Sequence, residues 1–326
     1  MSSSAVTDNP LLPWHADQWG RLEVQIAAGK LPHGILLAGP AQSGKSRLVQ
    51  QLSRKLLCGA ENAPCGTCHQ CQLVVAETHP DLYPISLLEK KSQIVIDQIR
   101  ELIDWASQTA QQGGWKVCII EPADKMNVQS SNALLKCLEE PPSRTVILLV
   151  TDQPNRLLPT LRSRCQRIEC SPPAQEEAVN WLSIQRPDVK DTALLLDIAG
   201  GIPLRAAEYI TDEYLAVRRG LAASMPGILE GEASAAQLAA EISKSDPLEV
   251  LDILFQLVTD AVGCQLTNAE VCRNRDLAPE INAISAAADP ATCFLLIDRI
   301  TEAKSIVAGT SNANVQMLLE WVLSPP

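Results

Sequence analysis

Two hydrophobic rhythms alternate along the first half of the chain. His33 to Ala38 is a short apolar run ended by Gly39-Pro40, and it reads as a buried strand. Lys116–Ile120 reads as a second strand and Thr145–Val150 as a third. The third is uncharged and rich in leucine and β-branched residues, as expected where both faces of a strand are covered. Between the runs the spacing lengthens. Leu48, Leu52 and Leu56 recur every four residues and predict a helix over 46–57 with one buried stripe. Val128, Leu134, Leu135 and Leu138 predict another over 127–140, with Asn127 as its N-cap and Pro141-Pro142 as its stop. Strands alternating with helices predict a parallel sheet carrying helices on both sides.

Beyond Ser171-Pro172-Pro173 the strand rhythm disappears. Alanine, leucine and acidic residues take over at helical spacing, interrupted by Gly200-Gly201 and Pro226-Gly227. A linker is expected at Pro172-Pro173 and a softer boundary near 208–215. Residues 1–20, with Ser, Pro, Trp14 and Trp19, read as a flexible start followed by a docking helix.

Composition narrows the function classes. The chain has 326 residues, 46% hydrophobic and 20% charged, which suits two or three globular units. Residues 1–170 carry a net charge of +1 and residues 171–326 a net charge of −12. Such an acidic chain does not hold DNA through bulk positive charge, and two regions with different tasks are expected. No apolar run approaches the roughly 20 residues of a membrane span, and the opening Met1-Ser2-Ser3-Ser4 lacks a secretory pattern. The expected compartment is the cytoplasm, where the 11 cysteines stay reduced.

Two clusters carry chemistry. Gly39-Pro40-Ala41-Gln42-Ser43-Gly44-Lys45-Ser46 matches G-x-x-x-x-G-K-[ST], with a predicted strand before it and a helix after it. In such a loop, backbone N–H groups and the positive end of the helix hold phosphate. Lys45 would reach the outer phosphates, and the Ser46 hydroxyl would ligate Mg²⁺. Cys58, Cys65, Cys68 and Cys71 place four thiols within 14 residues of the chain. Four thiolates at this spacing close a tetrahedral, structural Zn²⁺ site, a reading favoured over redox disulfides or free thiols. His69 and His79 lie nearby and are expected to be ordinary surface residues.

Pro32-His33-Gly34-Ile35-Leu36-Leu37 before the loop, the cysteines after it, Ser131-Asn132-Ala133-Leu134-Leu135-Lys136-Cys137-Leu138-Glu139-Glu140-Pro141-Pro142, and Leu161-Arg162-Ser163-Arg164-Cys165 together resemble the clamp-loader subunits of bacterial DNA polymerase III. The resemblance covers residues 10–210. It implies a P-loop AAA+ α/β domain over 1–171 with a zinc insertion at 58–71. A small helical lid over 172–210 and a C-terminal helical collar domain over 211–326 would follow. Two branches share these motifs, the ATPase motor subunits (gamma/tau) and the delta-prime subunits. Motor subunits carry Asp-Glu after the strand, the Asp for Mg²⁺ and the Glu for the attacking water. That Asp lies eleven positions before the motif Asn, so counting back from Asn132 gives Glu121, followed by Pro122. Proline can neither accept a proton nor orient water. The resemblance therefore points to the delta-prime branch, with ATP and Mg²⁺ bound but not turned over. Asp124 is the nearby acid that an active gamma/tau-like ATPase would have to use instead.

The same resemblance assigns Thr151 as a first sensor of the γ-phosphate and Arg205, on the lid, as a second. It makes Arg164 an arginine finger directed into a neighbouring subunit's ATP site, against the alternative of a salt bridge with Glu169 or another carboxylate. Arg162 and Arg167 are expected to be surface or pairing residues. The implied partners are the gamma/tau motor subunits and the delta subunit in a hetero-oligomer, and through that complex the sliding clamp and primed DNA. Such a chain belongs to a nucleotidyltransferase holoenzyme while forming no phosphodiester bond. Direct DNA reading by the cysteine segment is disfavoured, because residues 58–71 contain no Lys or Arg.

Overall fold

The computed structural model describes residues 10–89, 91–112, 114–267, 273–309 and 314–324. The flexible start expected over the first residues lies mostly outside that range. The chain divides after Pro173 into two compact units.

In chain order, the first unit contains α1 (Ala16–Ala27), β1 (Gly34–Ala38), α2 (Lys45–Leu57), α3 (His69–Val75), β2 (Leu82–Ile85), α4 (Ile96–Ser107), β3 (Lys116–Ile120), α5 (Val128–Glu139), β4 (Thr145–Thr151), α6 (Pro159–Arg162) and β5 (Gln166–Glu169). The strands form one parallel sheet in the order β2-β3-β4-β1-β5. The two-residue period of the strands sorts their side chains between two cores. Ile35, Leu37, Val146, Leu148 and Val150 face one core, with Leu48 and Leu52 of α2. Leu36, Ile147 and Leu149 face the other, with Leu102 of α4 and Leu134 of α5. This is the parallel sheet covered on both faces that the strand rhythm implies.

Two strands escape the apolar pattern, and both lie at sheet edges. β2 is Leu-Tyr-Pro-Ile, and Pro84 is tolerated because an edge strand needs hydrogen bonds on one side only. In β5 only Ile168 is buried. The helix over 127–140 forms as expected, and Asn127 caps it by accepting a 2.8 Å hydrogen bond from the Ser130 N–H. Its stripe differs by one residue. Val128 is exposed, since the first turn carries it away from the core that Leu134 and Leu138 enter.

The second unit holds helices and no strand among the described residues. α7 (Gln175–Gln185), α8 (Thr192–Ile198) and α9 (Pro203–Glu208) occupy the segment expected as a lid. α10 (Asp212–Leu229), α11 (Ala235–Ile242), α12 (Pro247–Thr267), α13 (Ala278–Ala287), α14 (Pro290–Gly309) and α15 (Val315–Leu323) occupy the segment expected as a collar. One buried apolar cluster runs from Ala178 to Leu323. α12 is long and apolar enough to cross a membrane by length and composition, yet it is a core helix here, with Val250, Leu254, Leu257, Val258 and Ala261 all buried.

Candidate nucleotide and metal sites

The phosphate-type loop runs from the end of β1 to the start of α2. Two of its glycines are required by backbone geometry. A Cβ on Gly39 would lie 2.2 Å from the Cys170 carbonyl oxygen, because β1 and the end of β5 approach closely there. Gly44, directly before α2, has φ +93°, a left-handed conformation that other residues adopt only with strain. From that turn, Lys45 and Ser46 open the helix beside the loop. The Lys45 ammonium donates to Gly39 O at 3.0 Å, to Pro40 O at 2.6 Å and to Ser43 Oγ at 3.4 Å. It also pairs with Asp152 Oδ1 at 2.6 Å.

A side-chain hydrogen bond ties the start of α2 to the residue that follows β3. Ser46 Oγ donates to Glu121 Oε1 at 2.7 Å, joining the two side chains expected at a Mg²⁺ ion. Pro122 follows and offers no side-chain acceptor. Asp124, the other nearby acid, accepts a 2.6 Å hydrogen bond at Oδ1 from Thr151 Oγ1. Thr151 Oγ1 in turn accepts from Gln153 N–H at 3.0 Å. A lysine, a hydroxyl and a carboxylate thus converge beside a helix N-terminus, the donor set that polyphosphate and a hard cation require.

Sequence reasoning missed a group beside this loop. His15, in the turn before α1, is fully buried, and neither ring nitrogen has a hydrogen-bond partner among the described residues. Burial first, and the charge of Lys45 second, push its pKa down to about 4. The imidazole is therefore neutral at pH 7. Its neighbour Trp14 donates Nε1–H to Ser43 O at 3.2 Å, tying that turn to the loop. A single histidine without periodic context carries no signal for such a place.

Arg205 belongs to the second unit, where its guanidinium pairs with Asp252 at 2.9 Å. Arg164 lies just beyond α6 and is about one-third exposed. Its carboxylate partner is not Glu169 but another carboxylate, as the salt-bridge alternative allowed. It bonds Glu139 Oε1 at 2.6 Å, the first glutamate of the Leu-Glu-Glu-Pro-Pro string, and also donates to Thr160 O at 3.0 Å. Arg167 takes Glu169, and Arg162 contacts Asn155 Oδ1 at 3.4 Å.

The four cysteines come together. Cys58 ends α2, Cys68 caps α3, and the four Sγ atoms lie within 4.8 Å of one another. Cys58 Sγ is 3.6 Å from Cys65 Sγ and 3.7 Å from Cys68 Sγ. A tetrahedron with Zn–S bonds of about 2.3 Å has edges of about 3.8 Å, so the thiols fit a zinc ion. Backbone amides prepare them. Cys68 N–H donates to Cys65 Sγ at 3.3 Å, and Cys71 N–H to Cys68 Sγ at 3.5 Å. The amides of Cys68 and Thr67 hold the Cys65 thiol down at about 6, whereas burial pushes Cys71 up to about 12. Bound metal would hold all four as thiolates. Lys55 of α2 anchors the loop by donating to Ala63 O at 2.6 Å.

The two nearby histidines differ from each other. His69 is exposed, as expected. His79 is not a surface residue. It is buried, and its Nδ1 accepts the Asp81 N–H at 3.0 Å. The cause lies in the turn entering β2, where Asp81 is itself buried and accepts the N–H groups of Gln111 and Gln112 at 2.8 Å each.

Comparison with known proteins identifies a family. Residues 14–174 match the family described as DNA polymerase III, delta subunit, and residues 216–324 match DNA polymerase III, delta subunit, C terminal. The DNA polymerase III subunit delta-prime of Pseudomonas aeruginosa is 35% identical over 319 residues, covering 96% of both chains. That of Yersinia pestis is 32% identical over 96% of this chain and 94% of its own. A gamma/tau subunit from Mycobacterium bovis is 35% identical over 145 residues, but these are 44% of this chain and 25% of that one. With end-to-end similarity on one side and similarity limited to one segment on the other, the chain belongs to the delta-prime subunits of DNA polymerase III.

Proposed function

We propose that this chain is the stationary member of a clamp-loader ring, holding nucleotide without turning it over and lending Arg164 to a neighbour's ATP. Pro122 is the observation that carries the reading. The strand end that would supply a carboxylate to activate water supplies a ring instead. The nearest substitute, Asp124, is committed to Thr151. Lys45, Ser46 and Glu121 remain suited to phosphate and Mg²⁺, so binding and hydrolysis separate in this molecule.

Arg164 supports the other half of the reading. It is partly exposed at the end of a short helix, and its carboxylate partner is exposed as well, so a stronger anion can displace the pairing. A guanidinium delivered to a transferring phosphoryl group neutralises the charge that develops there. The partners in this reading are gamma/tau motor subunits and a delta subunit in a cytoplasmic hetero-oligomer. That complex acts on the sliding clamp at primed DNA. The helical collar assembles the ring, and Zn²⁺ on the four cysteines holds the insertion in shape.

The test is reconstitution with motor and delta subunits, reading stoichiometry and clamp-dependent ATP turnover. Arg164→Ala leaves assembly intact and lowers turnover of the complex. An unchanged assembled rate overturns the finger assignment.

A further inference from the structure

We propose that Asp152 sets which nucleotide the loop accepts, by holding Lys45 where a terminal phosphate would otherwise hold it. The loop then takes a nucleoside diphosphate in preference to the triphosphate. The inference deepens the nucleotide-binding reading above and rests on it.

The geometry begins with two paired strand ends. Ala38 of β1 lies in register with Thr151 of β4, so the residues that follow, Gly39 and Asp152, leave the sheet side by side. This places the Asp152 carboxylate over the loop, 2.6 Å from the Lys45 ammonium. Lys45 is 5% exposed, while Asp152 is 47% exposed at the mouth of the site. A P-loop lysine is the group that reaches the β- and γ-phosphates. Here its outward direction is already taken by an anion.

The second γ-side group is occupied in the same way. The Thr151 hydroxyl donates to Asp124 rather than remaining available to a phosphate oxygen. Two aspartates thus satisfy the lysine and the hydroxyl that a terminal phosphate would engage. A diphosphate asks less of these pairings, because the backbone amides of the loop hold its β-phosphate and it brings no third phosphoryl group to compete with Asp152 for Lys45. A triphosphate must break the Lys45–Asp152 pair and leave a carboxylate beside phosphoryl oxygens of the same sign. Glu121 differs, since it faces Ser46, where a divalent cation would neutralise it.

The test compares MgADP and MgATP binding by titration calorimetry on the full chain, for wild type, Asp152→Asn and Asp152→Ser. Thermal melts confirm that each variant is folded. The expected result is a wild-type preference for ADP on the order of tenfold, which collapses in both variants as ATP tightens while ADP changes little. A wild type that binds both nucleotides equally, or variants with an unchanged ADP-to-ATP ratio, overturns the role of Asp152 and leaves nucleotide binding in place. Weaker ATP binding in the variants also overturns it, because Asp152 would then help hold the nucleotide. Folded protein that binds neither nucleotide in any form overturns the nucleotide reading together with this one.

Discussion

His15 shows how one side chain can make the whole chain sensitive to pH. Its native pKa is near 4, against about 6.5 for an unfolded histidine. Between these values the unfolded chain binds more protons than the native one, so stability falls as pH drops from about 6.5 toward 4. The contribution is at most about 3 kcal/mol. The expected outcome is a shallower loss of stability over that window in His15→Gln, measured by urea denaturation at several pH values. Equal slopes for variant and wild type contradict the assignment. Burial also lowers the pKa of His79, with the same sign, so the comparison must be made between proteins that retain His79.

Glu139 gives a second prediction at the same scale. Its ion pair with Arg164 links two motifs 25 positions apart that the sequence presents as separate strings. If Glu139 orients the guanidinium, Glu139→Gln changes turnover of the reconstituted complex severalfold and has no further effect in an Arg164→Ala background. A double-mutant cycle measures that coupling. Additive effects would show that Glu139 acts on something other than Arg164.

At the scale of elements, the cysteine insertion gathers four thiols where it has little core. Between α2 and α3 the chain buries few side chains, and the four thiols supply the convergence that apolar packing does not. Cys68→Ser removes one ligand together with the sulfur that accepts the Cys71 N–H and caps α3. Zinc near one equivalent per wild-type chain, its loss in the variant and a lower melting temperature are expected by metal analysis and calorimetry. A zinc-free wild type of equal stability is incompatible with a structural metal.

The elements also show where the sequence is informative. β1, β3 and β4 are central, covered on both faces, and so written as continuous apolar runs. β2 and β5 are edges, and one-sided pairing removes the need for such runs, so neither announces itself. The loop from Gly39 to Ser46 and the four cysteines are local and can be read by spacing. Lys45–Asp152, Thr151–Asp124 and Arg164–Glu139 join residues brought together only by the fold, and no local pattern reports them. The same holds in the second unit for buried Arg218. It takes Asn274 and Asp276 as partners, while Asn274 is bound in turn by Asp260.

At the scale of the molecule, each unit carries its own core. The two apolar clusters on the sheet belong wholly to the first unit, and the third cluster belongs wholly to the second. The charge divides at nearly the same place, with most of the net negative charge beyond residue 170. A core sufficient for about 170 residues suits an autonomous domain, and the junction at Pro172-Pro173 offers few backbone donors to either side. A chain ending at Pro173 should therefore melt cooperatively and retain its zinc, since all four cysteines and the helices that carry them lie within it. It should also remain monomeric if assembly belongs to the helical half. Circular dichroism, metal content and sedimentation of that fragment test the three statements separately. A fragment that is unfolded, or that loses zinc while the full chain keeps it, would place part of the first unit's stability in the second.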